Sequence, residues 1–556
     1  MVDVTSLLKK DNKILLLLFF VFFFGIGFLM VLHVYKDPNI GHADGANSAI
    51  VARNLAEGKG YTVDHVLYFI TYYPGLSHPE SIWPLGLPTL VALFFRVFGE
   101  STFIAKLPNI LLFLLFVVTM FCILRRRYNT FIAFFASIFT LINVNLFRVV
   151  IEPYHDIGFL IFTHLSFIAM ALWMVEQKKK YLVLLGLFTG VTILFKQTGL
   201  LLPPFFIFII MLSIIKKAEK NKVKNILKST SLFLLIALVV GSPWLIRNTM
   251  LFGNPIYSQA RQIGHLIDVP GTQQDEYFRI FFNDPEPVFE PLKQASIYEK
   301  LVLFNLKSWN HISRMLRHDN IVPGVILFLF LFGLVLLPFN EFEKNLVKIN
   351  ILFIFLYTLF LIYLIHTETR YFLFVIPFIS FISAKVLDYF YMQIIKPHYK
   401  LLYVFILCFL LFYLTFPFLS LMYKDLSNFS VDPVYSFVED NTPLNAVVMT
   451  RDAPRITWHT GRKTVMVPFG EVSDFYTIIK SYNVSHVLIL NPLWYYATHL
   501  NVRPWVYDLD KMVGNITHEH LFNETICTGE IEGGGCLYSV DVTVLDKEDD
   551  INIQSS

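Results

Sequence analysis

Apolar stretches long enough to cross a lipid bilayer recur along most of this chain. The first, 14–34, has 21 residues without a charge, and a bilayer core needs about 20 helical residues. Ten more lie at about 102–124, 130–150, 157–175, 181–195, 200–215, 229–246, 321–339, 349–365, 371–390 and 401–421. Because backbone polar groups in lipid must be hydrogen-bonded internally, such stretches form helices. We therefore predict an α-helical polytopic membrane protein with about eleven spans.

The composition excludes an ordinary soluble domain. Hydrophobic residues make up 55% of the chain and charged residues 16%, with a mean hydropathy of +0.57, whereas soluble domains have about 25% charged residues. The net charge of +3 is too small to indicate nucleic-acid binding. The first stretch lacks the cleavage site of a signal peptide, so we interpret it as a retained anchor.

The distribution of lysine and arginine predicts the orientation, because cytoplasmic loops are enriched in both. With the N-terminus inside, the inner connections carry 19 such residues and the short outer turns carry 3. An odd number of spans then places 35–101, 247–320 and 422–556 outside. We expect a multi-pass cell-membrane protein with a cytoplasmic N-terminus, divided into a transmembrane domain, 1–421, and an extracytoplasmic domain, 422–556.

The extracytoplasmic domain reads as a small α/β domain. Short apolar runs at 446–450, 464–468 and 486–490 are typical of strands, and they alternate with helix-like stretches. Cys527 and Cys536 flank a glycine turn, and an oxidising exterior favours a disulfide between them over two free thiols. We expect this domain to support the protein or to recognise its substrate.

Ionisable residues collect where the predicted spans meet the outer surface, which makes this layer the candidate site. Asp44 lies about ten residues beyond the first span, before an amphipathic stretch, and serves either in chemistry or only as a helix N-cap. His78 and Glu80 precede Trp83 and a short apolar segment, 84–98. That segment suits a helix lying in the membrane interface, where its aromatic residues would act as anchors.

A second group, Glu152, His155 and Asp156, lies where one span ends and the next begins. Two carboxylates and an imidazole in five residues are suited to binding a metal, holding a sugar or capping a helix. Since the sequence shows no further ligand nearby, we predict no metal site and no required cofactor, although a divalent ion stays an open alternative.

Three cations, Lys196, Arg247 and Arg370, stand at the outer ends of separate spans. Each on its own would suit a side chain that reaches up to the lipid headgroups. Three cations facing one cavity would instead bind an anionic group such as a phosphate.

In their order along the chain, these features resemble the GT-C class of polytopic glycosyltransferases, in particular the relatives of protein O-mannosyltransferases and of the lipid A aminoarabinose transferase. The resemblance covers roughly residues 10–420. The residues that carry it are Asp44, Ala52, Asn54, Leu55, Gly58, Gly60, Tyr61, Trp83, Pro84, Leu85, Glu152 to Asp156, Pro243, Trp244, Arg247, Asn248, Gly253, Pro255, Arg370, Tyr371 and Pro377.

This resemblance implies transfer of one sugar from a polyprenyl-phosphate carrier to an acceptor hydroxyl on the outer face, with inversion at the anomeric carbon. The acceptor would be a protein, a lipid or a glycan. Asp44 would be the general base, and Lys196, Arg247 or Arg370 would stabilise the departing lipid phosphate. The substrate pocket would be shaped by His78, Glu80, Glu152, His155 and Asp156.

One position departs from the family pattern, and two other classes of protein stay open. Many relatives have a second acid directly after the first-loop Asp, but Gly45 stands here, so that role falls to Glu80 or Glu152 or is absent. A secondary transporter would place its ionisable groups near the midplane and show repeated halves, neither of which the sequence indicates. A non-catalytic membrane assembly protein would tolerate replacement of Asp44.

Overall fold

The fold is taken from a computed structural model of the 556-residue chain. The structure describes residues 13–216, 221–259, 322–364, 368–395, 399–427, 430–468, 472–490, 522–528 and 535–541. These residues form two compact units. The helical unit comprises the described residues within Met1–Pro38, Trp83–Tyr257 and Val302–Phe429, and the mixed unit comprises those within Asn39–Ile82, Ser258–Leu301 and Ser430–Ser556.

The helices and strands are numbered in chain order through both units. The helices are α1 (Lys13–Lys36), α2 (Ala43–Ala56), α3 (Gly86–Phe98), α4 (Thr102–Arg127), α5 (Thr130–Leu141), α6 (Val144–Val150), α7 (Asp156–Glu176), α8 (Lys179–Phe195), α9 (Leu202–Lys216), α10 (Lys222–Phe252), α11 (Gly324–Leu336), α12 (Glu341–Leu364), α13 (Ile376–Tyr389), α14 (Lys400–Ser427), α15 (Pro433–Asn441), α16 (Ala453–Thr460) and α17 (Val472–Tyr482). The strands are β1 (Thr62–Val63), β2 (His65–Val66), β3 (His78–Pro79), β4 (Val447–Thr450), β5 (Lys463–Met466), β6 (His486–Leu490), β7 (Phe522–Thr528) and β8 (Gly535–Val540). Short 3₁₀ turns, Gln197–Leu201 and Thr369–Val375, lead into α9 and α13.

The helical unit confirms the membrane-protein prediction. Within the described residues, eight helices are long and apolar enough to cross a membrane, and α5 and α6 meet the same criterion only when taken together, as a pair bent by 61°. Two further apolar stretches form the shorter helices α8, of 17 residues, and α11, of 13 residues. Together these elements account for the eleven predicted stretches, and the chain is an integral membrane protein.

The bend between α5 and α6 has a local cause that the hydropathy pattern does not reveal. The sequence predicts one continuous span over 130–150, but the Asn143 side chain accepts a hydrogen bond from the backbone N–H of Leu146 at 2.9 Å. Asparagine in that position caps a new helix instead of continuing the old one. The span is therefore broken at residues 142–143.

Helix α8 packs closely on α10 because two of its residues have no side chain. A Cβ atom added at Gly186 would lie 2.7 Å from the Phe233 carbonyl oxygen, and one added at Gly190 would lie 2.7 Å from that of Ala237. Small residues spaced four apart let two membrane helices approach at the backbone. This contact fixes α8, whose C-terminal end is followed directly by Lys196.

The mixed unit is built on a six-stranded sheet in the order β2-β5-β4-β6-β8-β7. The first four strands are parallel, β8 is antiparallel to its neighbour β6, and β7 is antiparallel to β8. The predicted runs at 446–450, 464–468 and 486–490 correspond to β4, β5 and β6. The apolar stripe of α17 is buried in the core beside this sheet, so the α/β interpretation of the C-terminal region is confirmed.

Two observations refine the predicted division of the chain. The first outer segment contributes β2 to the sheet, where His65 and Val66 pair with Thr464 and Val465 of β5, so residues 39–82 group with the C-terminal region instead of the spans. Of the second outer segment, 247–320, the structure describes residues 247–259 only.

A disulfide joins Cys527 to Cys536 across the β7–β8 pair, as the sequence analysis expected.

Candidate functional site

Asp44 lies in the first turn of α2, and the preceding residue His42 caps that helix. The Nδ1 atom of His42 accepts a hydrogen bond from the Asp44 backbone N–H at 3.2 Å. The alternative that Asp44 is only the N-cap is therefore wrong. Its side chain is 22% exposed, with Oδ2 lying 3.6 Å from His42 Nδ1. The positive end of the helix dipole favours an ionised carboxylate at this position.

Glu80 is brought to the face of α2 that carries Asp44. Asn47 lies three residues after Asp44 and so on the same helix face, and its Nδ2 donates to Glu80 Oε2 at 2.9 Å. The other carboxylate oxygen accepts the backbone N–H of Ile82. Asn47 and Glu80 are 2% and 1% exposed, and Asn47 Oδ1 has no hydrogen-bond partner in the described part of the chain.

His78, predicted as a substrate-binding residue, is buried in packing contacts. Its ring stacks on Tyr73 at a centroid distance of 3.9 Å, and its nitrogens face the carbonyl oxygens of His65 and Pro79 at 3.0 and 3.1 Å. Burial lowers the pKa of His78 and, with His78 nearby, lowers that of His65 to about 3. These contacts are those of a residue that holds the loop together, so its substrate role stays a prediction.

The C-terminal part of the mixed unit contacts α2, the helix that carries Asp44, near its end and just before its start. Arg53, near the end of α2, donates to the Trp458 carbonyl at 2.9 Å and lies 4.4 Å from the centre of the Trp458 ring. Before α2, the backbone N–H of Ile40 donates to His459 Nε2 at 3.3 Å. Both partners belong to α16. The C-terminal region thus positions the helix that carries Asp44.

Asp64 is a charged residue that the sequence analysis missed. It accepts hydrogen bonds from Ser77 at 2.5 Å and from Asn54 at 2.9 Å. Burial by itself would raise the pKa of the Asp64 carboxyl, but these hydrogen bonds and the nearby Lys463 and Lys59 lower it overall. Asp64 therefore ties the end of α2 to the strands that follow it.

The helical unit brings two of the predicted phosphate-binding cations together. Lys196, at the end of α8, forms an ion pair with Asp156 at the start of α7, and both side chains are less than 10% exposed. The Lys196 ammonium lies 3.9 Å from the centre of the Tyr371 ring, and the Arg370 guanidinium lies 5.7 Å from the same ring. We call Asp156, Lys196, Glu368, Arg370 and Tyr371 the cationic cluster.

Arg370 is held within this cluster by Glu368. Its Nε lies 2.6 Å from Glu368 Oε2, and Nη2 donates to Oε1 at 3.1 Å. Its guanidinium also lies 4.5 Å from the centre of the Tyr154 ring. A guanidinium presents five N–H donors in a planar fork, a geometry that suits carboxylates and phosphates.

His155 is adjacent to the cationic cluster and faces an aromatic partner. Its Nδ1 lies 3.0 Å from the Phe195 carbonyl oxygen. Its ring stacks on Trp83 at a centroid distance of 5.0 Å and an angle of 16°. A Cβ added at Gly158 would overlap the Phe195 ring. The start of α7 can approach the end of α8 this closely only because residue 158 is glycine.

The two remaining predicted residues have other described contacts. Glu152 accepts a hydrogen bond from Asn109 at its backbone carbonyl, at 2.7 Å. Arg247 lies 5.4 and 5.7 Å from the ring centres of Trp244 and Phe252, and it donates to Asn248 at 3.2 Å. The substrate role of Glu152 and the phosphate-binding role of Arg247 stay predictions.

A buried ion pair between Lys106 and Asp37 also escaped the sequence analysis. The Lys106 ammonium lies 2.5 Å from Asp37 Oδ2, and the two side chains are 1% and 14% exposed. Lys106 stands near the start of α4, inside an apolar stretch, where an ionisable residue indicates a function or a partner. That signal could have led to this pair, which joins the C-terminal end of α1 to the N-terminal end of α4.

An apolar groove runs between α9 and α12 in the helical unit. It has a volume of about 280 Å³ and is lined by Leu201, Pro204, Phe205, Phe208, Phe353, Leu356 and Tyr357. The hydroxyl of Tyr357, one of the lining residues, lies 3.4 Å from Thr198 Oγ1, two residues beyond Lys196. Tyr357 therefore links this mostly apolar groove to the segment that carries Lys196.

No set of three or more histidine, cysteine, aspartate or glutamate side chains is positioned to bind a metal ion within the residues that the structure describes. Glu152, His155 and Asp156 are among those described residues. That the protein requires no divalent ion stays a prediction.

Known proteins with the same arrangement of helices provide the comparison. The model of the dolichyl-phosphate-mannose-protein mannosyltransferase family matches residues 80–246. The archaeal oligosaccharyltransferase AglB from Archaeoglobus fulgidus, in complex with an inhibitory peptide and a dolichol-phosphate, superposes with a TM-score of 0.56 at 11% identity, covering 94% of this chain and 74% of AglB. The chain has the GT-C fold. The resemblance to GT-C glycosyltransferases drawn from the sequence is therefore confirmed.

A second solved structure with a similar fold is that of ArnT. ArnT from Cupriavidus metallidurans, bound to undecaprenyl phosphate, has a TM-score of 0.53 at 12% identity, covering 87% of this chain and 95% of ArnT. Its apo state gives the same TM-score at 13% identity, covering 94% and 98%. No curated protein matches the chain by sequence. At such low identity the likeness establishes the fold, and function must be argued from the residues.

Proposed function

We propose that this protein is a glycosyltransferase that moves a single sugar from a polyprenyl-phosphate carrier to an acceptor hydroxyl at the outer face of the membrane. The observation that carries the proposal is the cationic cluster, together with an apolar groove whose Tyr357 contacts Thr198, two residues from Lys196. A lipid-linked sugar phosphate needs a dry channel for its isoprenoid tail and fixed cations for its phosphate. The undecaprenyl phosphate and dolichol-phosphate bound by the ArnT and AglB relatives support such a carrier.

In the proposed reaction the acceptor oxygen attacks the anomeric carbon of the donor sugar. Asp44 takes the proton from the acceptor hydroxyl as the new C–O bond forms. The bond between the anomeric carbon and the phosphate oxygen breaks, and the electron pair leaves with the polyprenyl phosphate. Because attack and departure occur on opposite sides of the carbon, its configuration inverts.

The cations have their role in the leaving step. Negative charge builds up on the phosphate as the glycosidic bond breaks, and donors fixed in a site that excludes water stabilise it without reorganising. Lys196 supplies a compact positive charge and Arg370 a planar set of donors. Asp156 and Glu368 keep both cations in place before the carrier arrives.

Glu80 is the proposed second acid of the site. It lies on the α2 face of Asp44 through Asn47, whereas the family pattern would place an acid at position 45, which is glycine here. Its carboxylate is suited to binding a hydroxyl of the sugar or the acceptor. The sugar and the acceptor themselves are left for experiment to identify.

Sugar transfer by the purified protein tests this function. The protein in detergent is supplied with radiolabelled polyprenyl-phosphate hexoses, and wild type is compared with Asp44→Asn and Glu57→Gln. The Asp44 variant should lose activity by roughly a hundredfold or more. Glu57, an exposed acid at the end of the same helix with a surface partner in Lys59, is the matched control and should leave activity unchanged.

The same comparison can reject the proposal. Equal transfer or donor hydrolysis by wild type and Asp44→Asn would show that Asp44 is not the base. No activity of the wild type on any carrier would move the transporter and assembly alternatives to the front.

A further inference from the structure

The helical unit holds the indole of Trp83 in a fixed position beside the cationic cluster. Its ring stacks nearly parallel on His155, with centroids 5.0 Å apart and an angle of 16°. His155 is buried at 1% exposure, whereas Trp83 is only half-buried. Trp83 therefore rests on a buried support and keeps part of its surface accessible.

The support is rigid because two segments pack against the end of α8. The Phe195 carbonyl oxygen can only accept a hydrogen bond, so His155 Nδ1, 3.0 Å away, must carry the proton. A Cβ added at Gly86, three residues after Trp83, would lie 2.7 Å from the Leu194 carbonyl oxygen. The start of α3 and the start of α7 are thus both held against residues 194–196.

The start of α7 and the end of α8 also contribute Asp156 and Lys196 to the cationic cluster. His155 is followed by Asp156, and Phe195 is followed by Lys196. The hydrogen bond between His155 and Phe195 and the ion pair between Asp156 and Lys196 are therefore consecutive links between the start of α7 and the end of α8. The Trp83 stack is one residue removed from the proposed phosphate-binding lysine.

We infer that Trp83 is a binding platform for the sugar of the lipid-linked donor. This inference rests on the proposed function. The C–H groups on one face of a pyranose carry partial positive charge, and the face of an indole is negative. In the donor, the anomeric carbon of the sugar is bonded directly to a phosphate oxygen. If that phosphate binds at the cationic cluster, the sugar lies beside the cluster and can reach an aromatic ring there.

The alternative explanation is that Trp83 anchors the chain at the membrane interface, where tryptophan is enriched. An interfacial anchor contacts lipid, so replacing it would not change how much the sugar adds to the affinity for the carrier. Tyr35, at the outer end of α1, is the matched control because it is 71% exposed and has only an edge contact with Phe103 among its described ring contacts. The two explanations therefore predict different responses to a sugar.

The test measures the affinity for undecaprenyl phosphate alone and for undecaprenyl phosphate carrying mannose or glucose. The variants are Trp83→Leu, which removes the ring, Trp83→Phe, which keeps a smaller one, and Tyr35→Leu. We expect wild type to bind one sugar-bearing carrier more tightly than the bare one. Trp83→Leu should lose about three- to tenfold of that gain, a typical aromatic contribution, and Trp83→Phe should lose less.

Binding of the bare carrier distinguishes failure of the proposed function from failure of the Trp83 platform. If wild type does not bind undecaprenyl phosphate, the proposed function fails. Two results would refute the platform and leave the carrier site standing. In the first, wild type and all variants bind undecaprenyl phosphate equally, but Trp83→Leu keeps the full gain in affinity that the sugar gives. In the second, wild type itself binds the sugar-bearing carriers no more tightly than the bare one. If Trp83→Leu weakens both carriers equally, or Tyr35→Leu matches it, Trp83 is an anchor.

Discussion

Replacing one member of the buried pair Asp156–Lys196 should destabilise the protein much more than replacing both. The two side chains are 7% and 6% exposed, so each charge depends on the other for solvation. Removing one partner of such a pair typically costs about 3–5 kcal/mol, whereas an apolar pair of similar size is close to neutral. We therefore expect Asp156→Leu and Lys196→Met each to lose about that much, and the double variant to lose about 1 kcal/mol or less.

Thermal unfolding of the purified variants in detergent measures this difference. With an unfolding entropy of about 2 cal/mol/K per residue, a loss of 4 kcal/mol lowers the Tm of a unit of this size by on the order of 5 °C. The pair Glu343–Lys385 is the matched control, because its atoms lie 2.5 Å apart and its side chains are 1% and 13% exposed. Its variants should follow the same stability pattern.

Binding of undecaprenyl phosphate separates stability from function. The double variant at Asp156 and Lys196 should be nearly as stable as wild type but bind the carrier at least tenfold more weakly, because the ammonium is gone. The double variant at Glu343 and Lys385 should bind it normally. Additive losses of stability would show that Asp156 and Lys196 do not interact, and normal binding by their double variant would remove the cationic cluster as the phosphate site.

Two further predictions concern the mixed unit. Arg53→Ala should lower stability by about 1–2 kcal/mol through loss of the hydrogen bond and ring contact to Trp458, and it should reduce sugar transfer. Lys59→Ala, which removes an exposed ion pair, should change neither quantity in unfolding and transfer assays by a measurable amount. The second prediction is a loss of stability in acid. Burial, with His78 nearby, lowers the pKa of His65 to about 3 in the folded protein. Between this value and pH 6.5, His65 is therefore protonated in the unfolded chain but neutral in the folded one. Stability is thus complete above pH 6.5 and falls by up to about 1.4 kcal/mol per pH unit as the pH drops toward 3. His65→Gln should make the dependence of Tm on pH shallower, and an unchanged slope would contradict this account.

The spans could be predicted from the sequence because their cause is local. A helix in lipid satisfies its own backbone and needs only a sufficient run of apolar residues. Short strands that alternate with helical stripes likewise mark an α/β domain, and two cysteines beside a glycine turn on an oxidising side favour a disulfide. The identity of Asp44, Lys196 and Arg370 as candidates followed from charge at the ends of apolar stretches.

The tertiary structure decided which residues act together. The two residues of β2 carry too little pattern to reveal that they pair with β5, about 400 positions later, so the first outer segment could not be assigned to the C-terminal region. The capping of α2 by His42, the link from Asn47 to Glu80 and the stack of Trp83 on His155 depend in the same way on close packing. Hydrophobic periodicity fixes which face of an element is buried, but the partner across a contact is set by side-chain directions and by glycines such as Gly158, which only the folded chain brings together.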